Sequence, residues 1–369
     1  MAKRNKLLAL LLLLPISKIY GGVMAIRNAM FDKGILKQHE FDIPVVVVGN
    51  LTIGGAGKTP HTEYLIEHLR HTYKLGILSR GYKRRTKGFV LASSHSRPND
   101  IGDESYQIFR KYGHDGVSVA VCENRVRGIE KLLEADPSIN LILLDDAFQH
   151  RYVKPWVSMV LTEYSHPLYN DDLLPFGRLR ESKSAVDRAD VVIVTKCPSD
   201  IKPMEMRIFK ENLSLYPYQK LLFSRYVYLP LRPLFPDQTV LAPIPNLSHL
   251  TSNDTILAVI GIANPRPFVR CLRQFGAKVK LKLFADHHNF TMADMEAIRS
   301  KFDAMKGDHK YIITTEKDAV RLAHNPYFPH QLRSKIFYLP IEVDFLLQND
   351  ESLVDIVNRL IRTKKAANR

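Results

Sequence analysis

The chain has 369 residues, 45% hydrophobic and 25% charged, which is enough for two α/β domains with their own cores and excludes a disordered chain. A total of 53 Lys and Arg against 38 Asp and Glu leaves a net charge of +15, so polyanions are its natural partners: nucleic acid, anionic lipid or phosphorylated substrates. Cys122, Cys197 and Cys271 are odd in number and far apart, so neither a disulfide framework nor a zinc site is suggested, and the pattern fits a reducing cytoplasm.

Residues 1–38 open with Lys3, Arg4 and Lys6, followed by the apolar run Leu7 to Leu14, then Pro15, Tyr20-Gly-Gly and a second largely apolar stretch from Val23 to Phe31. Three readings are open. One is a secretory signal peptide with a small residue at Ala25. Another is a membrane span, for which an uninterrupted apolar run of about ten residues is too short for a ~30 Å hydrocarbon core. The third is an interfacial hairpin of two amphipathic segments lying in one leaflet with Lys and Arg at the headgroups. The nucleotide motif that follows argues for retention in the cytoplasm and so for a membrane-associated helical segment.

Apolar β-branched runs then alternate with helical patterns over residues 39–222: Ile43–Val48, Leu75–Leu78, Val117–Val121, Leu141–Leu144, Val157–Leu161 and Val191–Val194. Short apolar strands separated by helices predict an α/β fold with a parallel sheet covered on both faces. Pro230, Pro233, Pro236, Pro243 and Pro245 disfavour regular structure and predict a linker over 223–254. The alternation resumes over 255–369 with Ile256–Ile260, Val279–Phe284, Tyr311–Thr314 and Ile336–Leu339, predicting a second, smaller α/β domain.

The first strand runs into Thr52-Ile-Gly-Gly-Ala-Gly-Lys-Thr-Pro60, a P-loop. Gly54, Gly55 and Gly57 permit backbone geometries that aim several N–H groups at phosphate oxygens, and Ala56 continues the same loop. The start of the following helix adds its positive end. Lys58 reaches the β- and γ-phosphates of ATP, the Thr59 hydroxyl ligates Mg²⁺, and Pro60 sits in the first helical turn, where its missing N–H costs nothing. One departure is Thr52 in place of the first glycine of the strict pattern, with Ile53 next to it. The strand Asn140 to Leu144 ends in Asp145-Asp146, where a Walker-B aspartate would hold magnesium.

Two further groups have a structural and a chemical reading each. Asp103 stands at the start of a helical stretch and is either an N-cap or a base for the acceptor hydroxyl. Asp286-His287-His288 follows a strand at the carboxyl end of the sheet, where α/β proteins bind ligands, and is otherwise a solvated loop before a helix capped by Thr291 and Asp294.

Together these segments resemble the tetraacyldisaccharide 4′-kinases of lipid A synthesis. The resemblance covers nearly the whole chain: Val48-Gly-Asn-Leu-Thr-Ile-Gly-Gly-Ala-Gly-Lys-Thr-Pro60, Ser79-Arg-Gly-Tyr82, Gly102-Asp-Glu104, Asp145-Asp146 with Gln149-His-Arg151, Leu173 to Glu181, Gly261-Ile-Ala-Asn-Pro265, Asp286-His-His288 and Thr315 to Val320, in that order. Thr52 belongs to that family's P-loop. The chain departs from the family at Ala147, where glycine is usual, and at Arg178, where the family has proline.

The resemblance implies transfer of phosphate from ATP, with Mg²⁺, to the 4′-hydroxyl of a tetraacyldisaccharide 1-phosphate at the cytoplasmic face of the bacterial inner membrane. It implies that Asp103 is the catalytic base and His287 its partner, that Glu104, Asp145 and Asp146 surround magnesium and nucleotide, and that Arg80, Arg125, Arg180 and Glu181 meet the glycolipid acceptor. The expected partners are that acceptor and a membrane surface, with no nucleic acid and no obligate protein partner. A P-loop switch or partitioning ATPase at the membrane is the alternative, against which Ile53 stands where that group carries a signature lysine. Base recognition is open between Thr195-Lys196 and Thr315-Glu-Lys-Asp318, both at strand ends.

Overall fold

The computed structural model describes residues 2–239, 244–346 and 351–367, the side chains of 2–11, 238 and 239 excepted, so Pro243 and most of the leucine run's side chains lie outside the described residues. The strands are β1 (Val45–Asn50), β2 (Leu75–Ser79), β3 (Val90–Leu91), β4 (Ser118–Val121), β5 (Leu141–Asp145), β6 (Val157–Glu163), β7 (Val191–Thr195), β8 (Lys220–Tyr228), β9 (Arg232–Pro233), β10 (Thr255–Ile260), β11 (Lys278–Leu283), β12 (Lys310–Thr315), β13 (Ile336–Leu339) and β14 (Ile341–Phe345). The helices are α1 (Ala2–Asp32), α2 (Lys58–Leu69), α3 (Pro98–Ile101), α4 (Asp103–Tyr112), α5 (Arg125–Ala135), α6 (Pro203–Leu213), α7 (Pro236–Thr239), α8 (Arg266–Arg273), α9 (Met292–Asp303), α10 (Glu316–Ala323) and α11 (Leu353–Ala367).

Two compact units result, Met1–Tyr226 with Val343–Arg369 and Val227–Glu342. The first holds a nine-stranded sheet in the order β14-β8-β7-β6-β1-β5-β2-β4-β3. β1 pairs in parallel with β5 and β6 and is buried along its whole length, as a strand covered on both faces by helices requires. One core packs Val45, Val47, Leu144, Ile129 and Phe148, and the other packs Val46, Val48, Leu65, Ile66, Val357 and Ile361. The second unit holds a five-stranded sheet, β11-β10-β12-β13-β9, in which β10 to β13 are parallel and β9 closes the edge antiparallel.

The domain boundaries differ from the sequence expectation at the carboxyl end. β14 joins the first sheet beside β8, and α11 buries Leu353, Ile356, Val357 and Ile361 against the first unit's core, so the chain returns to where it began instead of ending in the second domain. β8 also runs into the stretch expected as linker. One of its two partner strands, β14, is more than a hundred residues away, a pairing that local pattern does not report.

The amino-terminal segment is one helix, not a hairpin. Pro15 lies inside α1, and Gly21 and Gly22, between the two apolar stretches, are helical. Gly21 serves close packing instead: a Cβ there would lie 2.6 Å from Leu173 Cδ1. Among the described residues no helix is long and apolar enough to cross a membrane.

Candidate functional site

The P-loop occupies the carboxyl end of β1. Gly54 and Gly57 have φ of 113° and 91°, conformations that a side chain resists, and Gly57 is the N-cap of α2 with no side chain capping it. The first N–H groups of α2 are therefore left for a ligand at the helix's positive end. A Cβ on Gly57 would also come within 2.1 Å of the Tyr226 hydroxyl, so alanine is excluded by space as well as by φ.

Side chains from neighbouring elements take up the loop's carbonyls. Thr195 Oγ1 donates to Ala56 O at 2.8 Å, His61 Nδ1 lies 2.7 Å from Gly57 O, and Lys196 Nζ donates to Gly55 O. Buried His61 also reaches Ser224 Oγ at 2.9 Å, and burial pulls its imidazole down to about 4, so it stays neutral. Residues 51–53 are strapped to 178–180, with Ile53 N donating to Arg178 O and Arg180 N to Leu51 O, both at 2.7 Å. With the carbonyls of Gly55, Ala56 and Gly57 taken up in this way and Ala56 N donating to Gly54 O at 3.1 Å, the loop is held as a turn whose remaining N–H groups suit an anion.

Lys58 begins α2 and points back over the strand end. Its Nζ donates to Asn50 Oδ1 at 3.1 Å and lies 3.6 Å from Asp146 Oδ1. Asn50 is fully buried and its amide donates in turn to Thr52 O at 2.7 Å. Thr59 and Pro60 follow in the first turn of α2, half-buried, while Ile53, Gly54 and Gly55 are exposed on the loop.

Asp145 ends β5 beside Val48 of β1 and is buried, receiving the Thr62 hydroxyl at 3.1 Å. Burial, then the neighbouring Glu104 and Asp146 carboxylates, push its pKa up to about 7 against the pull of Lys58 and Thr62. Asp146 has a left-handed backbone, φ 47°. Burial opposes its ionisation, but Lys58, Arg180 and Arg125 prevail and hold its carboxyl below the usual range. Among the described residues no three His, Cys, Asp or Glu side chains are arranged to hold a metal by themselves. A buried carboxylate crowded by two others is nonetheless a setting that a divalent cation relieves.

Asp103 and Glu104 form the first turn of α4, entered through Gly102 at φ 83°, and Ser105 behind them meets Ser79 of β2 at 2.6 Å. The structure thus brings Lys58, Asp145, Asp146 and Glu104 together, with Asp103 next to Glu104. Arg180 joins them through a 3.1 Å bond to Asp146, and Gln149 ties the group to β1 by donating to Asn50 O at 2.6 Å. Arg80 is exposed at the end of β2.

Two residues expected at the acceptor are buried, Arg125 close enough to Asp145 and Asp146 to feel their charge. Arg125 is buried, donates to Cys122 O and Glu123 O at 2.9 and 3.1 Å, and is pulled down to about 10 by burial. Glu181 is 0% exposed and accepts from Asn28 Nδ2 at 3.1 Å and Arg188 Nη2 at 2.6 Å. It fastens α1 to the loop after β6, together with Tyr20, whose hydroxyl donates to Arg180 O at 2.7 Å, and Ser17, which donates to Leu173 O at 2.7 Å.

His287 belongs to the second unit. It has φ 59°, its N–H donates to Gly261 O at 3.3 Å, and its ring nitrogens face Lys317 Nζ at 2.8 Å and Arg321 Nη2 at 2.6 Å. Asp286 accepts from Lys317 at 3.3 Å, while His288 meets Asp294 at 2.9 Å and stacks on Phe284. The sequence alone does not mark Asn50, Gln149 and His61 as site residues: Asn50 and His61 flank the glycine motif directly, but their hydrogen bonds are set by folding.

Residues 9–362 match the family model described as tetraacyldisaccharide-1-P 4′-kinase. A Bacteroides thetaiotaomicron protein named tetraacyldisaccharide 4′-kinase is 50% identical over 346 residues, 92% of this chain and 90% of its own. A Phocaeicola vulgatus protein of the same name is 46% identical, covering 92% of each chain. The crystal structure of LpxK from Aquifex aeolicus in complex with ATP superposes with a TM-score of 0.71 at 27% identity, covering 94% of this chain and 98% of that one.

Proposed function

The chain belongs to the tetraacyldisaccharide-1-P 4′-kinase family, and we infer that it phosphorylates the 4′-hydroxyl of a tetraacyldisaccharide 1-phosphate in lipid A synthesis, with ATP as donor. The observation that carries this reading is Lys58, presented at the mouth of an anion nest and poised between Asn50 and Asp146. In such a site the triphosphate lies along residues 52–60, with the Lys58 ammonium on its β- and γ-phosphates. The acceptor oxygen attacks the γ-phosphorus as the bond to the β,γ-bridging oxygen breaks. ADP leaves, and the hydroxyl proton passes to a base.

We assign that base to Asp103, which sits on the same side of β1 as Asp145 and Glu104. Asp145, Thr59, Asp146 and Glu104 are the residues that would hold Mg²⁺, which would neutralise charge building on the phosphates. Arg180 and Arg80 are assigned to the acceptor. Arg125 and Glu181 support that region from the protein interior. For His287 a catalytic role rests on the resemblance alone, and its substitution is the test.

The membrane face is assigned to α1. Leu12, Ile16, Ile19, Val23 and Ile26 are exposed on it at alternating spacings of four and three residues, while Ser17, Tyr20, Asn28 and Phe31 face the protein. An apolar stripe lying in the interface of an anionic leaflet, at the cytoplasmic face of the inner membrane, brings the site to a substrate that does not leave the bilayer.

The test is to incubate detergent-purified protein with ATP, Mg²⁺ and the disaccharide 1-phosphate in mixed micelles and identify the product by mass spectrometry. The reading requires one added phosphoryl group on the 4′-oxygen. ATP hydrolysis without phosphorylated lipid would favour a switch ATPase instead.

A further inference from the structure

We propose that Glu63 is a positioning residue for the base: it clamps α4, which carries Asp103, against α2, which carries the phosphate-binding lysine. This rests on the reading of Asp103 as the base.

The two helices reach the site by different routes. α2 continues from β1 through the glycine loop, so the strand fixes where Lys58 and Thr59 stand. α4 has no such tether. Residues 80–102 separate it from the end of β2, and Gly102, at φ 83°, turns the chain into its first residue, Asp103. Ile108 and Tyr112 pack α4 into the core that also holds Leu65 and Ile66 of α2. Apolar burial of that kind is non-directional, so it holds the helix down without fixing its place along its own axis. Directional bonds must do that.

Glu63 supplies them. It is buried in the second turn of α2, and its two carboxylate oxygens are divided between two donors on α4. Oε1 accepts from Gln107 Nε2 at 2.7 Å and Oε2 from Lys111 Nζ at 2.6 Å. Asp103, Gln107 and Lys111 recur every fourth residue and so lie along one side of α4, and Thr59 and Glu63 have the same spacing on α2. The bond from Gln107 to Glu63 therefore joins the helices one turn, about 6 Å, behind Asp103 and Thr59.

A buried ion pair adds little net stability, because desolvation offsets the attraction, but it demands exact geometry. Its neighbours serve the same end. Thr62, the preceding residue, donates to Asp145 Oδ1 at 3.1 Å, so one turn of α2 sets both the carboxylate ending β5 and the helix of the base. Ser105 adds a third point through its 2.6 Å contact with Ser79 of β2. A shift of about 1 Å in a reacting group costs up to about a hundredfold in rate. Loosening the clamp should therefore appear in turnover and not in ATP binding, which the loop and α2 retain.

The test measures lipid phosphorylation by the full chain with Mg²⁺-ATP in mixed micelles, at a temperature where circular dichroism shows each variant folded. Glu63→Ala should lower kcat about tenfold and leave the KM for ATP within about twofold of wild type. Glu63→Gln should recover most of the loss: its carbonyl still accepts from Lys111, and its amide donates to Gln107 once that side chain's amide turns over. Gln107→Ala keeps the ion pair, should fold even where Glu63→Ala does not, and should lose about threefold in kcat. In an Asp103→Ala background Glu63→Ala should cost nothing further, since it acts through that residue. A lowered unfolding midpoint with unchanged kcat, a raised KM for ATP, or the same loss in the Asp103→Ala background would each overturn the clamp. Undiminished transfer by Asp103→Ala itself would remove the reading of the base and this inference with it.

Discussion

The Lys58 ammonium donates to the side-chain oxygen of Asn50 at 3.1 Å, eight residues back along the chain and fully buried at the end of β1. Lys58 therefore does not wait for phosphate in open solvent. Asn50 holds it over the strand end while donating its own amide to Thr52 O, so one side chain sets both the lysine and the loop.

Asn50→Ala should accordingly raise the KM for ATP roughly tenfold, the equivalent of about 1.4 kcal/mol, with the KM for the lipid acceptor unchanged. Steady-state kinetics with each substrate varied in turn checks this. An unchanged KM for ATP would show that the contact plays no part in nucleotide binding.

Glu181 should prove structural. It is fully buried and paired with Arg188, so Arg188→Met leaves a carboxylate without its charge partner and should destabilise the first unit by about 3 kcal/mol. The double variant with Glu181→Gln should recover much of that loss in urea denaturation. The acceptor KM of Glu181→Gln should match wild type; a large rise would return Glu181 to the acceptor.

The two faces of α1 should separate stability from membrane binding. Ile19→Glu with Val23→Glu alters the exposed face and should abolish co-sedimentation with anionic vesicles while leaving the unfolding midpoint in place. Tyr20→Phe removes the bond to Arg180 O and should do the reverse, lowering stability by about 1 kcal/mol without loss of vesicle binding.

In the second unit, Asp294 closes the capping box of α9, accepting from Thr291 N at 2.8 Å and meeting His288. Burial opposes its ionisation, but the Thr291 and His288 bonds outweigh it and hold the carboxyl near 2, below its ordinary 3.8. A depressed acid stabilises the fold above its unfolded pKa and loses that contribution as pH falls through the folded one. Asp294→Ala should therefore cost about 1 kcal/mol at pH 7, less as pH falls below 4, and nothing once the pH is well below 2. A cost independent of pH would assign the stabilisation to packing.

Much of the first unit is legible in the sequence because its signals are local. β1, the glycine loop and α2 are contiguous, and Asp145-Asp146 ends an unbroken apolar strand, so period and turn chemistry suffice. What escapes is whatever depends on distant pairing. β8 looks like the start of a proline-rich linker until its partner strands are seen, and β14 with α11 reads as the tail of the second domain until the chain folds back. Glu181 and Arg125 carry charges that suggest a ligand, and the sequence does not show that both are buried. In α1, the close packing of Gly21 on Leu173 depends on a residue 152 positions away and is not visible locally.

The central claim is that this P-loop delivers phosphate to a lipid hydroxyl with Asp103 as base. The most direct measurement follows γ-labelled ATP into tetraacyldisaccharide 1-phosphate for wild type, Lys58→Ala and Asp103→Ala. Label should appear in the lipid with wild type and fall by at least about a hundredfold in both variants, while Asp103→Ala keeps wild-type affinity for ATP. Labelled lipid formed at an undiminished rate by Asp103→Ala would contradict the assignment of the base, and release of labelled phosphate with no labelled lipid would contradict the account as a whole.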